Sequence, residues 1–274
     1  MRVREAISRS SKVFNEDAYG YRKDGVWVID GATPLDDGPL VDGVSPAAWL
    51  SHTASQLLRD IPWSGCSLRD VLATVIEEVT HLGHAHGLAG AEFPTAAISI
   101  VRQTNDGLEV ASLGDCLTLV GIGGRKAEEV VDPQFDGAEE SVLVRVRDRM
   151  SQGIRAEDAY REVRTELRRR RRERNSPAGL WVLGADPGAA QHAALQLIPA
   201  PPGTHVVLMS DGFVRVLWPF KLVEDSVELM DRVTSGGAAD LLDELRTAEG
   251  TDPDCARMPR FGAHDDATVV WAQV

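Results

Sequence analysis

The sequence predicts an α+β domain, and three observations carry that prediction. Apolar, β-branched runs recur and stop at a carboxylate, as in Val26-Trp27-Val28-Ile29-Asp30-Gly31 and Val206-Val207-Leu208-Met209-Ser210-Asp211-Gly212. These read as buried strands that break off in a turn. Asp24-Gly25 and Asn105-Asp106-Gly107 punctuate such runs and are hairpin signals, so the strands pair antiparallel. Elsewhere apolar residues recur at helical spacing.

Taken in order, Phe14–Tyr21 and Val26–Ile29 form a strand pair around Arg22-Lys23-Asp24-Gly25, which folds Glu16 and Asp17 back towards Asp30. Residues 32–45 read as loop. Ser45-Pro46 opens a helix, an N-cap followed by proline at the first helical position. Trp49, Leu50, Ala54, Leu57 and Leu58 are its stripe, and Pro62 closes it. Ser67 starts a second helix, striped by Leu68, Val71, Leu72, Val75, Ile76 and Val79. Pro94–Val101 pairs through Asn105-Asp106-Gly107 with Leu108–Leu113, and Leu117–Val120 continues until Gly121–Gly124 breaks the run. Residues 139–174 read as one long helical stretch with Val142, Val146, Met150, Ala159, Val163 and Leu167 on one side. A short strand is expected at Leu180–Leu183, then a strand pair, 192–198 with 204–210, around a proline-rich turn. Helices follow at Val223–Val233 and Ala238–Glu249, and a last strand at Ala267–Val274. No domain boundary is evident, so residues 1–274 form one domain.

The 274 residues, 43% of them hydrophobic, suffice for a large core. The net charge of −13 argues against a nucleic-acid binder or a polybasic membrane-surface protein. No apolar run reaches the roughly 18–20 residues of a membrane span, and Met1-Arg2-Val3-Arg4-Glu5 lacks the core of a signal peptide, so a cytoplasmic location is expected. Cys66, Cys116 and Cys255 make neither a disulfide framework nor a zinc pattern; reduced thiols are the plain reading, with a redox role for Cys116 as the alternative. His81, His84 and His86 lack an acidic partner for a metal motif and read as a polar helix end. Arg168–Arg172 reads either as a solvated helix end or as a dock for an anionic partner. Asp24, Asp36, Asp106 and Asp252 are ordinary loop acids.

What remains is a set of carboxylates at strand ends far apart in sequence: Asp30, Asp115, Asp211 and Asp265-Asp266. One alone is a turn residue. Together they suggest a site of hard oxygen ligands suited to Mg²⁺ or Mn²⁺.

The order of these features resembles the metal-dependent protein phosphatase 2C (PPM) family, including its bacterial Ser/Thr phosphatases. The resemblance rests on Asn15-Glu16-Asp17, on Val28-Ile29-Asp30-Gly31, on Pro94-Thr95-Ala96 with Leu113-Gly114-Asp115, on Met209-Ser210-Asp211-Gly212, and on Asp265-Asp266-Ala267-Thr268-Val269-Val270. It implies an α-β-β-α architecture: a central antiparallel β-sandwich flanked by helices, with two Mg²⁺ or Mn²⁺ at one edge. It implies that Asp30 bridges both metals, that Gly31 gives its carbonyl to one, that Asp211 and Asp265 bind the other, and that Glu16 and Asp17 act through metal-bound waters. Catalysis would run through a metal-bound water held by Asp30, Asp211 and Asp265, on a phosphoprotein or a small phosphorylated substrate. Asp115 is either a third-metal ligand or a turn residue.

Three departures stand out. Lys12 occupies the position of the family's phosphate-binding arginine; it offers a point charge rather than a fork. Ala32 stands where some relatives carry a general-acid histidine. Arg215 stands where a third-metal carboxylate is common, and either repels that metal or contacts substrate phosphate. An Arg-rich helical insertion, at about 125–178, replaces the family's variable flap. The alternative function is a non-catalytic regulatory protein that binds a phosphorylated partner.

Overall fold

Trp27 shows how the layers assemble. In the strand β3 (Gly25–Gly31), Val26 and Val28 point to one side and Trp27 and Ile29 to the other, yet all four are fully buried. A strand covered on both faces must be an inner layer. The computed structural model describes residues 1–33, 35, 39–121, 126–135, 137 and 140–274. Asp36 and residues 122–124 of the expected break lie outside these.

Among the described residues, two five-stranded antiparallel sheets pack face to face. One contains β2 (Asp17–Arg22), β3, β4 (Ala96–Gln103), β5 (Leu108–Leu113) and β8 (Ala194–Ile198), in the order β2-β3-β4-β5-β8. The other contains β1 (Arg2–Arg9), β6 (Leu117–Gly121), β7 (Ala127–Val130), β9 (His205–Met209) and β10 (Ala267–Gln273), ordered β1-β10-β9-β6-β7. Val26, Val28, Val110, Val206, Leu208 and Val270 fill the space between the sheets. The opposite face of the first sheet carries Trp27, Ile29, Ile98 and Ile100 against α1 (Pro46–Asp60) and α2 (Leu68–Ala85). The second sheet carries Leu119, Val207, Met209 and Val269 against α5 (Asp211–Val214), α6 (Ser226–Arg232) and α7 (Ala238–Gly250). This is the α-β-β-α sandwich. Trp27 also donates its indole N–H to Ser55 Oγ at 2.9 Å, which satisfies the one polar group that its burial would strand.

Both N-terminal helices begin as their sequence dictates. Ser45 Oγ accepts from Ala48 N, and Ser67 with Asp70 forms a reciprocal capping box.

Several expectations need correction. Residues 192–198 and 204–210 do not pair with each other: β8 pairs with β5, and β9 lies between β6 and β10 in the other sheet. The proline-rich turn therefore crosses between layers. Leu180–Leu183 makes only an isolated bridge, Leu183 with Ala96. The helical stretch is two helices, α3 (Glu140–Ser151) and α4 (Ala156–Arg172), broken where Gly153 adopts φ +87. Their facing residues, Val142, Val146, Ala159 and Val163, form a small core with Met150 and Leu167. No described helix is long and apolar enough to cross a membrane.

Candidate metal and phosphate site

Each acidic residue is set by the end of a strand. Asp17 opens β2 and Asp30 nearly closes β3, and the hairpin register places them directly opposite each other. Like charges so placed repel. Asp211 follows β9 in the other sheet, and its backbone N–H donates to Asp30 Oδ2 at 3.1 Å. Ser210 Oγ donates to Asp17 Oδ2 at 2.7 Å and accepts from Thr268 N at 2.9 Å. The two sheets are thus stitched together at one edge, where the carboxylates meet.

The glycines of the Asp-Gly pairs serve close approach rather than turn geometry. A Cβ on Gly31 would sit 2.4 Å from Glu16 O, and one on Gly212 would sit 1.9 Å from Asp266 O. Gly31 N donates to Glu16 O at 3.1 Å.

Asp30, Asp115, Asp211 and Asp265 line one cavity of about 400 Å³. Burial pushes the Asp30 carboxyl well up, reinforced by Asp211, Asp17, Asp115 and Asp265. Burial likewise pushes Asp17 up to about 8, although the Ser210 and Thr268 hydrogen bonds pull the other way. Asp211 rises to about 7, through burial and then Asp265 and Asp115, with Arg215 opposing. Asp115 is exposed to solvent, yet the protein packed around its carboxyl raises it too, against the pull of Arg174. Among the described residues, no ion pair holds Asp17, Asp30, Asp115 or Asp211, whereas Asp265 is paired.

Glu16, Asp265 and Asp266 are held differently. Lys12 Nζ donates to Asp265 Oδ1 at 2.9 Å, to Glu16 Oε2 and Asp266 Oδ2 at 3.2 Å, and to Thr33 Oγ1 at 2.7 Å. Burial works against the ammonium, but Asp265, Asp266 and Glu16 carry its pKa above the ordinary value. Arg215, 7% exposed, donates to Asp265 Oδ2 at 2.9 Å, to Glu249 Oε1 at 3.1 Å, and to the carbonyls of Phe261 and Gly262. Its guanidinium is committed to protein groups.

The roof comes from the Arg-rich helix. Arg170 and Arg171, in the last turn of α4, and Arg174, just past its C-cap Glu173, line the cavity beside Leu167, Val142 and Phe261. Arg171 donates to Thr33 O and Arg164 to Leu35 O, so α4 is strapped to the loop after Asp30-Gly31. Arg174 donates to Thr95 Oγ1; burial lowers its pKa, and the charges of Asp115 and Asp30 oppose that. A uniformly solvated helix end is thereby corrected. Only part of the run behaves so: Arg169 pairs with Glu166 and Glu173 in solvent.

Arg174 is the residue that sequence reasoning missed. It lies one glutamate past five consecutive arginines, and nothing in so basic a stretch distinguishes the members that face the cavity. Lys12, Asp30, Asp211, Asp265 and Asp115, singled out from the sequence, line one cavity; Glu16 and Asp17 are buried behind it, bonded to Lys12 and paired opposite Asp30 respectively. The other candidates fall away. Cys116 is buried, and burial with Asp30 and Asp115 raises its thiol pKa, the wrong direction for a reactive thiolate. His86 packs on Trp49 and lies 3.4 Å from Asp42, as a polar helix end would.

Among the described residues, no three His, Cys, Asp or Glu side chains form a ready-made metal cage. The donor chemistry still fits a hard divalent cation in one half. Asp30, Asp211, Asp17 and Asp115 are oxygen donors whose mutual repulsion such an ion would relieve.

No protein-family model matches the sequence, and no curated protein matches it. Solved structures do. PppA, a key regulatory component of T6SS in Pseudomonas aeruginosa, is 16% identical with a TM-score of 0.58, over 100% of this chain and 99% of that one. The PPM Ser-Thr phosphatase MsPP from Mycobacterium smegmatis, in complex with cacodylate, is 17% identical with a TM-score of 0.57, over 100% of both chains. The catalytic domain of the serine threonine protein phosphatase PstP, in complex with 2 manganese ions, is 14% identical with a TM-score of 0.56, over 99% of this chain and 98% of that one. Strand order, layers and carboxylate-bearing edge together give the chain the fold of the PPM-type Ser/Thr phosphatases.

Proposed function

We propose that the protein is a divalent-cation-dependent phosphate monoester hydrolase acting on phosphoserine or phosphothreonine in a protein. One observation carries this: mutually repelling carboxylates and inward-turned arginines share a single cavity. A pure binding module has no use for carboxylates whose ionisation burial opposes.

Asp30 and Asp211, with the Gly31 carbonyl and Asp115 nearby, would hold the cation. When bound, it supplies concentrated positive charge for phosphoryl transfer and acidifies water. The chain's own residues do the rest. The Asp211 amide fixes the orientation of Asp30. Ser210 holds Asp17 in turn. Arg174, anchored on Thr95, offers a planar fork to phosphoryl oxygens, which the Lys12 point charge does not. Arg215 holds Asp265 in place instead of touching substrate. Ala32 has no proton to give, so the leaving alkoxide draws one from water in the cavity.

The Ser-Thr phosphatase description of MsPP and the regulatory description of PppA support a protein substrate. A small phosphorylated molecule is the second reading, favoured by α4 arching over the cavity through Arg171 and Arg164. A cytoplasmic location fits the three free cysteines.

Hydrolysis of p-nitrophenyl phosphate with Mn²⁺, and its loss with EDTA and in Asp211→Asn, is the expected result. Absence of turnover on this ester and on phosphopeptides, with Mn²⁺ bound, would leave a regulatory binder. Turnover of small esters without turnover of phosphopeptides would favour the second reading.

A further inference from the structure

The resemblance calls for two cations, but the carboxylates form two unlike groups. We propose that the Lys12 ammonium takes the place of the second cation, so that the protein binds one divalent ion, in the Asp30–Asp211 half alone. This rests on the cation-dependent reading of the same site.

The oxygens of the Glu16–Asp265–Asp266 half are already used. Glu16 Oε1 accepts from Ser45 Oγ, and Oε2 from Lys12 and Thr33. Asp265 Oδ1 accepts from Lys12 and from Asp266 N, and Oδ2 from Arg215. Asp266 Oδ2 accepts from Lys12 and from Glu16 N. Only Asp266 Oδ1 is buried without a partner, and one oxygen does not hold a hard cation.

Lys12 behaves as a coordinated ion would. It spreads three N–H donors over four oxygens, on residues 4, 21, 253 and 254 positions away in sequence. It is not a surface stem that happens to bend inward: its backbone N–H is fixed on Ser10 Oγ at 2.9 Å. Arg215 supplies the second positive charge from the far side of Asp265, and is itself locked by Glu249, which is fully buried. A second divalent ion would have to displace the ammonium from three carboxylates and compete with a buried guanidinium for Asp265 Oδ2. In the Asp30 half, by contrast, the donors to Asp30 and Asp17 among the described residues are neutral: the Asp211 amide and the Ser210 hydroxyl.

Mn²⁺ titration by calorimetry, with electron paramagnetic resonance of the loaded protein, tests this. The wild type is expected to bind one Mn²⁺ with an uncoupled signal. Lys12→Ala and Lys12→Gln are expected to bind two, with the spin-coupled signal of a neighbouring pair; far-UV circular dichroism of the Mn²⁺-loaded variants establishes that they are folded. Two ions in the wild type, or one ion in folded Lys12 variants, would overturn the inference while leaving the hydrolase reading intact. No Mn²⁺ bound by the wild type would overturn the cation-dependent reading, and the inference with it. If neither variant folds, the wild-type stoichiometry alone decides: one ion supports the inference and two overturn it.

Discussion

The two halves of the acidic edge use the same side chains to opposite ends. Asp17, Asp30, Asp115 and Asp211 are crowded together with neutral donors and carry raised pKa values. Glu16, Asp265 and Asp266 are gathered by an ammonium and a guanidinium from their own chain. The first half is destabilising until something positive arrives. The second already holds counter-charge from its own chain, and it serves as scaffold. Burial of charge is thus not a uniform sign of a metal site; what matters is whether the chain supplies the counter-charge itself.

The comparison can be broken in several ways. The largest effect is expected on turnover: Asp211→Asn should lower kcat/KM by roughly 10³-fold, the scale seen when preorganised charge is removed from a reacting centre. Next is a stability effect in the other half. Arg215→Met removes the cation from Glu249 Oε1 and Asp265 Oδ2, while Arg246 and Lys12 still hold the other oxygen of each, and should cost about 1–3 kcal/mol in denaturant titration; a loss within error of zero would mean that the guanidinium is not structural. Arg174→Ala should reduce kcat/KM roughly 30-fold, as expected for losing a charge-assisted hydrogen bond, mainly through kcat if the fork tightens in the transition state.

A smaller effect distinguishes the halves by sign. In EDTA, Asp30→Asn should raise the melting temperature because it removes repulsion, whereas Asp265→Asn should lower it because it releases Lys12 and Arg215. Equal signs would erase the distinction. The smallest is a pH effect. Asp17 at about 8 and Asp211 at about 7 lie above the ordinary carboxylate range, so between pH 4 and 8 the folded state holds more protons than the unfolded one. Stability without cation must then fall as pH rises through that window. Melting in EDTA should drop by a few degrees, on the order expected for about 1 kcal/mol, from pH 6 to pH 8, and Mn²⁺ should abolish the drop.

Much of the fold was legible because it is locally encoded. The stripes of α1 and α2, the turn at Asn105-Asp106-Gly107 and the carboxylates at strand ends are all patterns over a few residues. What was not legible depends on distant pairing. β8 and β9 look like a hairpin, but Leu108–Ile198 and Thr118–Leu208 contacts send them to separate sheets. β1, Arg2–Arg9, mixes charged and apolar residues without a period-2 pattern, and it is a strand paired along its length with β10. In the site, Asp30, Asp211 and Asp265 stood out, since a strand that ends in a carboxylate is a local signal. The partners of Lys12 and the inward turn of Arg174 did not, because both are set by tertiary packing of α4 and of the loop at Thr33.

The central claim is that one half of this edge awaits a cation and the other supplies its own. Anomalous scattering from crystals grown with Mn²⁺ addresses it most directly. The account predicts a single peak among Asp30, Asp115 and Asp211, with Lys12 still bonded to Asp265. A second peak at Asp265, with the lysine expelled into solvent, would contradict it.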